Sequence, residues 1–274
     1  MYGMHHFFPN QFRPGDFEIL VDFALGPNED QQAFYETFIS THETQLDAMT
    51  VPRFAQHDYD RAFSQTEHIE TFGADTAHFW HPIVQRHVQQ ELIGADFPGL
   101  SAAERRAHDF AALTHDMGEL VTGDAVYREK DNAKAEHAAR RGIVRSVDPV
   151  SADEILAITA PILEDPGTEG FAIFELSERI GYIRTGGVAA EVFLHPRDGS
   201  DNDLPDAQRR TAGTIVTDIA IKNLEMLSGK AGDSSTVRLY MDRVAGPMQQ
   251  AVALFEQSDP QAYARAYERA TRRR

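Results

Sequence analysis

The chain contains no cysteine, which removes both a disulfide framework and any thiolate metal site from consideration. Long apolar runs are missing too, since none approaches the ~20 residues that a membrane-spanning helix needs. The amino terminus, Met1-Tyr-Gly-Met-His-His6, lacks the basic-then-apolar order of a secretory signal. A cytoplasmic protein with no membrane partner is therefore expected. Basic residues are scarce: 26 Lys and Arg face 43 Asp and Glu, giving a formal charge of −17 and a pI near 5.0. Such a balance argues against binding DNA, RNA or an anionic bilayer, each of which wants a basic surface. A small phosphorylated ligand remains compatible with it, because that needs only a few local cations.

At 42% hydrophobic and 25% charged, the 274 residues have the make-up of a globular protein able to bury a sizeable core. Local signals favour helices almost throughout. Asn28 can cap a helix with Glu29 and Asp30 in its first turn, and Phe34, Phe38, Leu46 and Met49 keep helical spacing up to Pro52. Ser64-Gln-Thr-Glu67 has the form of a capping box, and Ser151-Ala-Asp-Glu154 repeats it before a helix through Ile162 and Leu163. Gly94 to Gly99 predict a loop, with Ser101 as the next cap, and Pro166-Gly167 predict a break. Phe171 to Arg184 then reads as a helix with a strong apolar face. Residues 195–205 form the clearest linker, followed by helical patterns at Val216, Ile219, Leu224 and Leu227, and again at Val237, Leu239, Val244 and Leu254. Pro260 suits a first helical turn after Asp259.

The chemistry concentrates in Ala111-Ala-Leu-Thr-His-Asp-Met-Gly-Glu-Leu-Val-Thr-Gly-Asp124. On a helix, His115 and Glu119 share a face one turn apart, while Asp116 points about 100° round from His115. Gly123 reads as the closing residue, with Asp124 just beyond it. Imidazole nitrogen beside carboxylate oxygen is a ligand set for a borderline divalent metal. A further carboxylate one turn along stands where a base for an activated water is wanted. The bland alternative is that a His-Asp pair is only a solvated face or a cap, and the chain has three: His57-Asp58, His108-Asp109 and His115-Asp116. His108 lies two turns before His115, about 11 Å along a helix. That is too far to share an ion with it, so His108 reads as a packed or surface histidine.

The third pair differs in its surroundings. The string His115-Asp116-x-x-Glu119-x-x-Thr122-Gly123-Asp124 resembles the signature of the HD-domain metal-dependent phosphohydrolases, in their 5′-deoxynucleotidase-like branch. The resemblance covers roughly residues 64–190. It implies an all-α HD-type fold: a helical extension over 1–60, a phosphohydrolase core over 61–195 and a second helical extension over 196–274. It implies hydrolysis of a phosphomonoester, a (deoxy)nucleoside 5′-monophosphate first among them, with one divalent ion as cofactor. Mn, Co, Zn, Fe and Ni are not distinguished, though a transition metal is favoured over Mg, and a homo-oligomer is left open.

Carried over residue by residue, the metal ligands become His115, Asp116, a histidine on an earlier helix and an acid further on. For the earlier histidine, His78 precedes Phe79-Trp80 at the family's usual separation from His115, with His81 the nearest rival; His68 would require an insertion, and His87 reads as exposed. Pro82 departs from the family's pattern and either kinks that helix or begins a new one. For the later acid, Ser177-Glu178-Arg179-Ile180 places Glu178 where the family has Asp, with Glu175 as the alternative. Glu119 and Asp124 become the catalytic carboxylates, and Arg128, Lys130 and Lys134 the candidates for a phosphate contact. Two other readings stay open. The di-iron oxygenase branch of the superfamily is disfavoured by Glu119, where that branch usually has Lys. A degenerate binding or regulatory domain is suggested by Glu178 and Pro82.

Overall fold

The computed structural model describes residues 28–41, 53–73, 76–77, 80–122, 130–195 and 205–271, and among these the protein is all-α. In order come α1 (Glu29–Thr41), a 3₁₀ turn (Ala55–His57), α2 (Gln65–Phe72), α3 (His81–Asp96) and α4 (Ala102–Thr114). A second 3₁₀ turn (His115–Gly118) leads into the short α5 (Glu119–Thr122). Then follow α6 (Lys130–Val147), α7 (Ala152–Leu163), α8 (Glu169–Leu194), α9 (Asp206–Lys230), α10 (Ser235–Ser258) and α11 (Pro260–Thr271). Leu46 and Met49 lie outside the described residues, as does most of the linker at 195–205. Among the described residues no helix is long and apolar enough to cross a membrane.

The helix starts follow from short-range chemistry. Ser64 accepts from the Glu67 backbone N–H while Glu67 accepts from that of Ser64, and Ser101 and Glu104 do the same for α4. Each box satisfies two of the N–H groups a helix start leaves bare. Pro82 opens α3 within its first turn, where its missing N–H costs nothing. Asp259 accepts from the Ala262 N–H at the start of α11. Two expectations are corrected. Gly94 lies inside α3, which runs on to Asp96, because the glycine stands in open space and breaks no packing. Ser151 precedes α7 without a side-chain cap. Glu154 is drawn instead to Arg106 of α4 at 3.0 Å, and Asp148 accepts from the Val150 and Ser151 N–H groups.

The described residues cluster into two compact units that interleave along the chain. One takes in those of Met1–Val51, Ala77–Ile93 and Phe97–Ser177; the other, those of Pro52–Thr76, Gly94–Asp96 and Glu178–Arg274. In the first unit, Ala107, Ala111 and Ala112 on α4 pack with Ile162 of α7 and Phe174 of α8. Small side chains on α4 let its neighbours come close. Phe34 of α1 meets Phe110 of α4 edge-on, with ring centroids 5.8 Å apart. The second unit centres on α9, which packs against α10 and α11. Its buried side chains include Ile215, Val216, Ile219, Leu227, Met248 and Phe255.

Candidate metal centre

The three His-Asp pairs have different fates. In the second unit, His57 donates from Nδ1 to the Phe54 carbonyl and turns Nε2 towards Asp218, 3.3 Å away. Burial first, then Arg269 and Lys222, hold its pKa well below the usual value. Asp58 accepts from the Ala62 and Phe63 backbones and from Thr211. In the first unit, His108 pairs with Gln89 at 2.6 Å, and burial lowers its pKa to about 4. Asp109 accepts from Arg86, Gln31 and Gln90. Each of these four side chains is occupied by the architecture around it.

The third pair is arranged otherwise. α4 ends at Thr114, and the chain tightens into the 3₁₀ turn His115–Gly118 instead of continuing as the one helix expected from the Ser101 cap to Gly123. His115 Nδ1 lies 2.7 Å from the Ala112 carbonyl. A carbonyl only accepts, so Nδ1 carries a proton, and with the ring neutral Nε2 presents its lone pair. That Nε2 stands 3.1 Å from Asp116 Oδ1 and 3.2 Å from His81 Nε2, while Asp116 Oδ2 stands 3.4 Å from His81 Nε2. One proton on the His81 ring can bridge one of these contacts and leaves electron-rich atoms opposed at the others. A cation among them satisfies all three. With bonds of about 2.0–2.1 Å to nitrogen and oxygen, the edge of a tetrahedral coordination shell is about 3.3 Å. The donor set fits a divalent metal in type and in spacing.

The Phe174 ring meets His115 edge-on with centroids 5.4 Å apart, and Met117 and Trp80 are buried. Water is kept from the imidazoles, which strengthens their electrostatics. Beneath the turn, Gly118 backs directly onto the Glu136 carbonyl of α6.

His81, His115 and Asp116 thus form the described group able to hold a metal. His78, the first expectation for the earlier ligand, lies outside the described residues. The signal for His81 was Pro82, whose place at the start of α3 sets His81 at the helix end. Glu178 and Glu175 are half-buried and exposed on α8, and neither is a member of the group. Glu119 opens α5 and is half-buried. Asp124 and Arg128 lie outside the described residues, Lys130 begins α6, and Lys134 is exposed. His87 is exposed as expected, 3.8 Å from Glu91. Comparison with known proteins gives no match to a family, a curated protein or a solved structure.

Proposed function

We propose that this chain is a metal-dependent phosphohydrolase acting on a small phosphomonoester, with (deoxy)nucleoside 5′-monophosphates the class to test first. The convergence of His81 Nε2, His115 Nε2 and the Asp116 carboxylate supports the metal. The string from His115 to Asp124 supports the reaction class. Two imidazoles and one carboxylate suit Zn, Fe, Mn, Co or Ni better than Mg, which prefers oxygen and water. When bound, such an ion supplies Lewis acidity and lowers the pKa of water.

The chain's own residues do the rest. The Ala112 carbonyl fixes the His115 tautomer, and the Phe174 ring packs against that imidazole. Glu119, which opens α5 directly after the 3₁₀ turn, takes the role of orienting the attacking water and accepting its proton. Asp124 contacts the sugar or supports the ligands from outside. Arg128, Lys130 and Lys134 share the phosphate contact. The net charge of −17 favours a small substrate over a nucleic-acid polymer.

The test is metal analysis of the purified chain, then metal-dependent release of inorganic phosphate across a panel of nucleoside monophosphates. About one transition metal per chain, lost in His115→Ala, together with phosphate release, supports the proposal. Metal-replete protein that is inert towards every phosphate ester overturns it. Oxygen consumption by the iron-loaded form would move the assignment to the oxygenase branch.

A further inference from the structure

Helix α6 presents two residues one turn apart to the metal-bearing turn. Glu136 meets Gly118 through its backbone carbonyl, and Arg140 meets Thr114, the residue immediately before His115. Arg140 is 1% exposed. One terminal guanidinium nitrogen donates to Thr114 Oγ1 at 3.3 Å and to Thr159 Oγ1 of α7 at 3.1 Å; the other donates to Glu164 Oε1 at 2.8 Å. Both threonine hydroxyls give their own proton to a helix carbonyl, Thr114 to Phe110 at 2.7 Å and Thr159 to Ile155 at 2.8 Å. Their oxygens are therefore left to accept from the guanidinium.

Burying a guanidinium is costly, and here the cost is only partly met. Its Nε, shielded from solvent, has no hydrogen-bond partner among the described residues. Burial draws the group's pKa down against the opposing pull of Glu164. A packing role would be served as well by an apolar side chain, because buried ion pairs are often no more stabilising than a hydrophobic replacement. What an apolar side chain could not do is hold the Thr114 hydroxyl. That hydroxyl sits where α4 stops and the 3₁₀ turn begins, and the change of helix type sets the directions of His115 and Asp116.

We propose that Arg140 is a positioning residue for the metal centre, acting through Thr114 to fix the turn that carries His115 and Asp116. The inference rests on the metal reading above and adds a residue to it. Two matched hydroxyls on the same guanidinium nitrogen supply the test, one beside the ligands and one away from them.

Zn²⁺ and Mn²⁺ affinity is measured on the full chain by competition with a chelator, alongside thermal melts, for wild type, Thr114→Val, Thr114→Ser, Thr159→Val, Arg140→Met and His115→Ala. Thr114→Val should weaken metal binding about tenfold, the lower end of what loss of a supporting partner costs at a metal site. Thr159→Val should lower the melting temperature as Thr114→Val does while leaving metal affinity unchanged. Thr114→Ser keeps the hydroxyl and should restore wild-type affinity. Arg140→Met should bind metal no better than Thr114→Val, and if it fails to fold the threonine series decides. Equal effects of the two valine substitutions, or none from Thr114→Val, overturn the positioning role and leave the metal reading intact. Absence of His115-dependent binding in the wild type overturns both.

Discussion

Replacing Gly118 with alanine adds one methyl group where the turn that carries His115 and Asp116 lies against α6. The new Cβ would stand 2.7 Å from Glu136 Cγ and 2.9 Å from the Glu136 carbonyl carbon. Carbon atoms in contact prefer about 3.5–4.0 Å, so the turn or the helix must yield by about 1 Å. The Cγ could swing away, but the carbonyl is backbone and can move only with α6. Overpacking of this kind costs about 1–3 kcal/mol. For a chain of this size that corresponds to about 2–10 °C in melting temperature. The second effect is on the ligands: donor atoms now 3.1–3.4 Å apart must keep their places to within about 0.2 Å to hold an ion well. A shift of the turn should therefore weaken metal binding about tenfold or more. Gly142, on the same helix α6, is the internal comparison, since an added Cβ there meets nothing within 4 Å. Gly142→Ala should raise stability by about 0.5–1 kcal/mol through helix propensity, with metal affinity unchanged. Melts with and without chelator, together with competition titrations, give both quantities. A Gly118→Ala protein that melts at or above wild type and binds metal equally well would refute the packing argument.

Three further outcomes follow from the same geometry. His81→Ala should lose bound metal by elemental analysis while His78→Ala keeps it; the opposite result would return the ligand to His78. Glu119→Gln should retain metal and lose roughly 10²-fold or more in phosphate release, whereas parallel loss of metal would make Glu119 a ligand or a fold determinant. Asp96 accepts hydrogen bonds from Ser234, Ser235 and Thr236 at the start of α10; against the opposing effect of burial, these bring its carboxyl from 3.8 down to about 2. Its folded-state pKa being depressed, its stabilisation is present above about pH 4 and disappears as pH falls towards 2. Discounted for partial exposure, it is about 1–2 kcal/mol. Asp96→Asn should therefore be less stable in denaturant at pH 7 and indistinguishable from wild type near pH 2; a gap that persists at low pH would contradict this.

What could be read in the sequence depended on how far the deciding partner lay along the chain. The boxes at Ser64 and Ser101 close within four residues, so their spelling suffices. Ser151-Ala-Asp-Glu154 has the same spelling, yet Arg106, 48 residues away, takes the glutamate. The His115-Asp116 pair was legible because its signature is local. Its change from α-helix to 3₁₀ turn was not, since the groups that meet it there, Arg140 and the Glu136 carbonyl, are brought from α6 by packing. Pro82 marked a helix start or a kink, and only placement at the beginning of α3 decides between them. The choice of candidate histidine hung on that decision, and the separation from His115 together with Phe79-Trp80 favours His78. For the first His-Asp pair, nothing near His57 in the sequence announces Asp218.

The buried Arg86 touches both Asp109 and Gln31, and Gln31 itself reaches Asp109. Gln31 belongs to α1, in the stretch that sequence pattern alone would set aside as an appendage. A shortened chain beginning after α1 would keep the guanidinium and the carboxylate but lose the amide that hydrogen-bonds to both. It would also uncover the face of Phe110 that Phe34 shields. Trimming such a chain to its signature-bearing segment, a routine economy in preparing a catalytic fragment, would open a wet, charged seam beside α3 and α4. The boundary that matters for a minimal working protein is therefore set by a glutamine some eighty positions upstream of the motif.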